Sequence, residues 1–202
     1  MSKLKFFYNY RSPYSALAAD MLHAAAQDWG DKVSIVPHQM ALDDDVVFAD
    51  PTAIPDKVAY IIQDVIRLYG ARGLKVGIPD PFDIDFTPAA RATQAAIAAG
   101  VGAAGFGLAF IREASLLRWS EGRNLTEEAV IGEAATRAGW QADAAIAAMK
   151  NADYDAGIAA DKAATRDNKV FGVPFFIVED ANGQEPFWGQ DRWAMMLARL
   201  GL

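Results

Sequence analysis

The chain of 202 residues is 52% hydrophobic and 22% charged, a globular composition with enough apolar residues for a substantial core. Its net charge of -7 argues against a general nucleic-acid or anionic-membrane surface, which needs clustered Lys and Arg. The absence of cysteine excludes disulfides and thiolate chemistry, and the two histidines lie too far apart to predict a metal site. No apolar run approaches the roughly 20 residues of a membrane span, and no signal-peptide pattern is seen, so we expect a cytoplasmic protein.

Strand and helix patterns alternate at the start of the chain. The aromatic run from Leu4 to Asn9 predicts a buried strand, and the Ala-, Leu- and Met-rich stretch after Pro13 predicts a helix ending near Gly30. Residues 32–40 (KVSIVPHQM) predict a second strand. This β-α-β order is typical of a parallel sheet with a crossover helix.

The middle of the chain is predicted to be helical. Apolar residues recur at helical spacing from Pro55, and Ala-rich helical patterns continue to about Asp167. After Asn168 come a β-branched and aromatic strand, an Ala-Asn-Gly turn at residues 181–183, a short strand and an amphipathic helix. We therefore predict an α/β fold in which a helical domain, residues 43–168, is inserted into a smaller domain of residues 1–42 and 169–202.

Motifs along nearly the whole chain resemble one family. FFYNYRSPYSALA, WSEG, KVFGVPFFIV and FWGQDR look, in this order, like motifs of the kappa-class glutathione transferases and 2-hydroxychromene-2-carboxylate isomerases. The element order is similar to the thioredoxin fold, and the helical insertion resembles its DsbA-like branch. The resemblance implies a glutathione-dependent isomerase or transferase that acts on an aromatic or unsaturated carboxylic small molecule.

Ser12 is the candidate catalytic residue. In redox members of the fold, a helix N-terminus lowers the pKa of a cysteine, and Ser12 stands in place of that cysteine. The resemblance implies that Ser12 donates a hydrogen bond to the thiolate of glutathione. Such a bond contributes about 1.5–3 kcal/mol and the helix dipole about 0.3–1 kcal/mol, the order needed to lower a thiol pKa by about two units. Taken alone, Ser12 before Pro13 is more simply a helix N-cap.

The resemblance also implies contacts with the cysteinyl and glycyl parts of glutathione. Val173 would offer its backbone N–H and C=O to the cysteinyl unit, as an added strand does, and Pro174 would be cis. The alternative is an edge strand with a trans proline. Lys57 matches the lysine of the family that precedes a tyrosine and would meet the glycyl carboxylate, although a surface helix lysine is the simpler interpretation.

The segment from Trp188 to Arg192 is the candidate site for the γ-glutamyl end. Gly189 is predicted to lead into a helix start, where the backbone N–H groups at Gln190 would bind a carboxylate and Asp191 would bind the ammonium group. Asp191 is equally well suited to cap the last helix. The partner of Arg192, whether substrate or Asp191, is left open.

Four residues are candidates for the substrate side of the site. Tyr10, Phe82 and Trp119 would form an apolar wall, although aromatic residues more often belong to the core, and Arg11 would favour a thiolate or an anionic substrate. The acidic run at residues 43–45 stands where the isomerases have a basic residue, and it would repel a chromene carboxylate. Phe48 stands near a common asparagine of the family.

Two further expectations concern function and assembly. The competing interpretation is a catalytically inactive thioredoxin-like binding module with no affinity for glutathione, whereas thiol–disulfide exchange is excluded because the chain has no cysteine. A homodimer is expected by analogy, with the Ala- and Gly-rich residues 95–110 as a candidate helix contact.

Overall fold

The computed structural model describes residues 2–40, 54–102, 105 and 107–202. These ranges contain four strands, β1 (Ser2–Tyr8), β2 (Val33–Gln39), β3 (Phe175–Asp180) and β4 (Gly183–Trp188). They also contain eight α-helices, namely α1 (Pro13–Ala26), α2 (Pro55–Ala71), α3 (Thr87–Ala98), α4 (Leu108–Ser120), α5 (Glu128–Arg137), α6 (Ala142–Met149), α7 (Asp155–Asp167) and α8 (Trp193–Leu200).

The strands form one sheet of order β2-β1-β3-β4. Strand β1 runs parallel to β2 and antiparallel to β3, and Phe6 lies opposite both Pro37 and Phe176. Because β1 and β3 are the inner strands and helices cover the sheet, their central residues are buried and apolar. The predicted α/β fold, with a helical block between β2 and β3, is confirmed.

One hydrophobic cluster joins the sheet to the inserted helices. Phe6 stacks on Phe176 within the sheet, and the same cluster continues to Phe110 of α4 and Val130 of α5. Alanines fill the contacts among α3, α5 and α6, where small side chains let helices approach closely. The domain division at residues 42/43 and 168/169 stays a prediction, and its first boundary lies outside the described residues.

The last helix begins later than predicted. Gln190–Arg192 forms a 3₁₀ turn, and α8 starts only at Trp193. Within the described ranges, no helix has both the length and the apolar character that crossing a bilayer requires.

Candidate functional site

Ser12 lies directly before the first residue of α1. Its backbone is extended (φ -100°, ψ 117°), and its Oγ accepts a hydrogen bond from the N–H of Ser15 at 3.1 Å. Ser12 is therefore an N-cap, as the simpler interpretation held. This bond uses Oγ as an acceptor, so the hydroxyl hydrogen stays available for donation, and it meets no acceptor among the described residues.

Asn9 holds the turn that carries Ser12. Its Nδ2 donates to the carbonyl of Met40 at 2.6 Å, and its Oδ1 accepts from the N–H of Arg11, also at 2.6 Å. The N–H of Asn9 donates to the Oγ of Ser15 at 3.3 Å, while its carbonyl accepts from the N–H of Ser12 at 3.1 Å. The end of β1, the residue after β2 and the start of α1 are thereby joined through one buried amide.

A cavity of about 730 Å³ opens beside Ser12. It brings together five of the predicted site residues: Arg11, Ser12, Phe82, Trp119 and Val173. The rest of its wall is mostly apolar and comes largely from α2, with Asn9, Pro13, Tyr14, Pro55, Val58, Ala59, Ile61, Ile62, Val65, Val76 and Ile78 as the other lining residues. The α2 wall was not predicted, because its apolar spacing is also that of a helix packed on a core.

Charged groups at the cavity are paired. The Nε of Arg11 donates to Asp83 at 2.7 Å, and its guanidinium carbon lies 5.2 Å from the ring centre of Phe82. The Phe82 ring meets Trp119 edge-on at 6.0 Å. The hydroxyl of Tyr14 donates to Asp64 at 3.0 Å, and burial together with this carboxylate raises the pKa of Tyr14 well above its ordinary value. Tyr14 is therefore neutral at physiological pH.

The prediction that Tyr10 forms part of the substrate wall is wrong. Its side chain is fully buried in the core, and its hydroxyl is hydrogen-bonded to Thr93 Oγ1 at 2.7 Å. Tyr10 takes part in the site through its backbone, since its carbonyl accepts from Nε1 of Trp119 at 2.9 Å and so orients that ring.

The Val173–Pro174 peptide bond is cis, as predicted. The alternative of an edge strand is wrong, because Pro174 directly precedes β3, which lies between β1 and β4. Val173 lines the cavity. Its backbone N–H and C=O make no hydrogen bond within the described part of the chain, whereas the carbonyl of Pro174 accepts from Gly189 at 2.9 Å.

The segment from Trp188 to Arg192 is not among the cavity-lining residues. The Trp188 ring is exposed and packs edge-on against Phe171 at 5.0 Å. Gly189 has a φ of +93°, which favours glycine. The carboxylate of Asp191 pairs with the adjacent Arg192 at 2.6 Å, and it does not cap α8, whose preceding residue is Arg192. The cap interpretation of Asp191 is therefore wrong, whereas the predicted helical start after Gly189 is a 3₁₀ turn at Gln190–Arg192.

Of the predicted residues not yet placed, Lys57 lies within the described ranges. Lys57 is exposed in the first turn of α2 and is not among the cavity-lining residues. The acidic run at 43–45 and Phe48 lie outside the described residues. Within the described ranges, no cluster of His, Asp and Glu is arranged to hold a metal ion.

Residues 3–201 match the model of the DSBA-like thioredoxin domain. The chain belongs to this family. Its structure is similar to that of a 2-hydroxychromene-2-carboxylate isomerase (22% identity, TM-score 0.77), covering 98% of this chain and 94% of that one.

Two bacterial relatives share the fold. A probable DsbA oxidoreductase from Streptomyces coelicolor has 16% identity and a TM-score of 0.74, covering 99% of this chain and 90% of that one. The cytosolic disulfide reductase DsbM from Pseudomonas aeruginosa with GSH has 20% identity and a TM-score of 0.67, covering 99% and 100%. No curated protein matches the sequence significantly.

Proposed function

We propose that this protein is a glutathione-dependent isomerase or transferase that acts on an aromatic or unsaturated carboxylic substrate. The observation that carries the proposal is the Ser12 hydroxyl, which caps α1 and faces a large apolar cavity with its hydrogen uncommitted among the described residues. The chain has no thiol of its own. A cytoplasmic location agrees with the proposal, because the cytosol holds a glutathione pool.

The residues at the cavity suit the binding of glutathione. Ser12 donates its hydroxyl hydrogen to the sulfur, and the N-terminus of α1 favours negative charge there. Val173 offers the unbonded N–H and C=O of its backbone to the cysteinyl unit, with Pro174 fixing the chain direction. When bound, glutathione supplies the nucleophilic thiolate for addition to an electrophilic carbon, a step that gives isomerisation when it reverses after bond rotation and transfer when it does not.

Further contacts with glutathione stay proposals. We assign Gln190 and Asp191, together with Trp188 and Gly189 directly before them, to the γ-glutamyl end of glutathione. Lys57 is assigned to the glycyl carboxylate. Ion pairing between Asp191 and Arg192 means that the ammonium group of glutathione would share this carboxylate with a neighbouring cation.

The substrate side of the site is assigned to the aromatic and cationic wall. Phe82 and Trp119 form an edge-on pair that suits a flat aromatic ring. Arg11 lies over the Phe82 ring, and we assign it to the anionic group of the substrate. The α2 wall keeps water away from the reacting atoms.

The test is the pKa of glutathione bound to Ser12→Ala. We expect this pKa to rise by about one to two units relative to the unmodified protein, since a charge-assisted hydrogen bond is lost. The thiolate is followed by its ultraviolet absorbance against pH. Ser34→Ala is the matched control, because Ser34 lies near the start of β2, at the opposite end of the sheet from Ser12. An identical titration curve for Ser12→Ala would remove the proposed role.

Calorimetric titration with glutathione separates this proposal from the inactive binding module. A measurable heat of binding that weakens in a Val173→Pro variant, which lacks the backbone donor, supports the glutathione site. If the unmodified protein shows no heat of binding, the inactive binding module is supported instead.

A further inference from the structure

Arg118 is a buried cation on α4, one residue before the cavity-lining Trp119. Its side chain is completely buried, and no carboxylate lies within hydrogen-bond distance of it among the described residues. Its guanidinium instead donates to the carbonyls of Pro81, Phe82 and Arg123, while its Nε has no partner. Burial lowers the pKa of Arg118 to about 10, so the group is still charged at neutral pH.

Burying a charge in this way is costly, because three carbonyl dipoles, the face of the Phe86 ring and the nearby Asp83 carboxylate compensate for only part of the lost hydration. An apolar residue of similar length would avoid that cost, but it would leave the three carbonyls without these donors. Arg118 therefore does more than fill space, because its hydrogen bonds hold the backbone at Pro81 and Phe82.

The segment that Arg118 holds is the one that contacts Arg11. Nη2 of Arg118 donates to the carbonyls of Pro81 at 2.9 Å and Phe82 at 2.5 Å. The side chains of Phe82 and Asp83, in turn, lie against Arg11, the first through its ring face and the second through a 2.7 Å ion pair. Arg11 reaches the cavity beside Ser12.

We propose that Arg118 is a positioning residue for Arg11: by clamping the backbone at Pro81 and Phe82, it fixes the cation at the cavity and thereby sets the preference of the cavity for anionic over neutral aromatic molecules. This inference rests on the proposed function only in taking the cavity as the place where the ligand binds. It requires neither glutathione nor turnover.

The test compares two fluorescent probes of similar ring size on the full chain at neutral pH. Anilinonaphthalene sulfonate is anionic, and N-phenylnaphthylamine is neutral. The measured quantity is the affinity for the anionic probe divided by the affinity for the neutral probe. In Arg118→Met we expect this ratio to fall by about fivefold, a loss typical of one displaced charge contact, while the affinity for the neutral probe changes little. Arg118→Lys, which keeps the charge and a donor, should recover part of the preference.

A double-mutant cycle with Arg11→Met distinguishes positioning from a general structural role. In the Arg11→Met background, Arg118→Met should leave the ratio unchanged. The proposal is overturned if both probes weaken equally, if the ratio is the same in all variants, or if it still falls when Arg11 is absent. Should Arg118→Met not fold, Arg118→Gln replaces it in the cycle with an expected fall of about twofold to threefold. Loss of glutathione binding would contradict the proposed function without changing any of these outcomes.

Discussion

At the scale of single residues, the two hydroxyls at the start of α1 have separate roles. Ser15 is buried and accepts from the backbone of Asn9, so it belongs to the turn. Ser12 caps the helix and lies at the cavity. The turn itself depends on Asn9, whose amide both donates to Met40 and accepts from Arg11, a combination that a carboxylate or an aliphatic side chain does not offer.

Asn9→Ala should therefore destabilise the protein by about 2–4 kcal/mol, because two buried hydrogen bonds are lost and the Met40 carbonyl is left unsatisfied. The free energy of unfolding in urea measures this change. Gln141→Ala is the control, since the Gln141 side chain is exposed and makes no cap hydrogen bond to α6, and it should stay within about 0.5 kcal/mol of the unmodified protein. Equal stabilities for the two variants would show that the Asn9 amide does not hold the turn.

Motifs located five of the cavity residues, but neither the α2 wall nor the direction of every side chain. Ser12, Phe82, Trp119 and Val173 meet at one cavity although they are far apart in sequence. Tyr10 was misassigned because, in a tight turn, adjacent side chains point to different sides, and spacing alone does not tell which side faces the core.

At the scale of elements, α2 forms the cavity wall and is tied to α1 by three polar contacts. The hydroxyl of Tyr69 donates to the carbonyl of Pro13 at 2.9 Å, and Tyr14 donates to Asp64. Arg72 donates twice to Asp20, at 2.6 and 2.9 Å. The sequence predicted this helix from its apolar spacing, but the same spacing does not distinguish a core contact from a cavity wall. Val65 and Tyr69 are buried, whereas Ile62 and Ile66 are exposed.

Asp20 makes the tie between α1, α2 and α4 dependent on pH. Burial by itself raises the pKa of Asp20, but hydrogen bonds from Arg72 and Arg112 outweigh it, so the pKa in the folded protein is below the ordinary value of 3.8. The stabilisation that ionised Asp20 contributes is therefore fully present above pH about 4. It is lost as the pH falls through the lowered pKa of Asp20.

We expect Asp20→Asn to lower the free energy of unfolding at pH 7 by about 2–4 kcal/mol, because two arginines lose their paired carboxylate. The difference from the unmodified protein should shrink below pH about 4, as the native carboxyl takes up a proton. Urea unfolding at a series of pH values gives both numbers. Asp28→Asn serves as control because Asp28 is exposed just after α1, and a difference that does not change with pH would contradict the charge-based origin.

At the scale of the whole molecule, the α/β frame and the inserted helices share one core. The Tyr10–Thr93 hydrogen bond crosses between them, and the main hydrophobic cluster runs from Leu4 in β1 to Met196 in α8 through α3, α4 and α5. Element order and Ala-rich composition were enough to predict the two parts from the sequence. Their shared core was not predictable, because it depends on contacts between residues distant in the chain. The homodimer and its candidate contact at 95–110, part of which lies outside the described residues, stay predictions.

Because the core is shared, we expect a large-to-small substitution in the helical part to destabilise the sheet as well. Phe110 is fully buried in α4, where its ring meets Trp140 edge-on at 5.8 Å. Phe110→Ala should lower the free energy of unfolding by about 3–5 kcal/mol. Hydrogen exchange followed by mass spectrometry should show this loss at the slowest amides of both α5 and β1, since the two belong to one cooperative unit. Ile66→Ala, at an exposed position in α2, should change neither set by more than about 0.5 kcal/mol. If α5 alone loses protection in Phe110→Ala while β1 keeps it, the inserted helices unfold as a separate domain and the shared core does not couple them to the sheet.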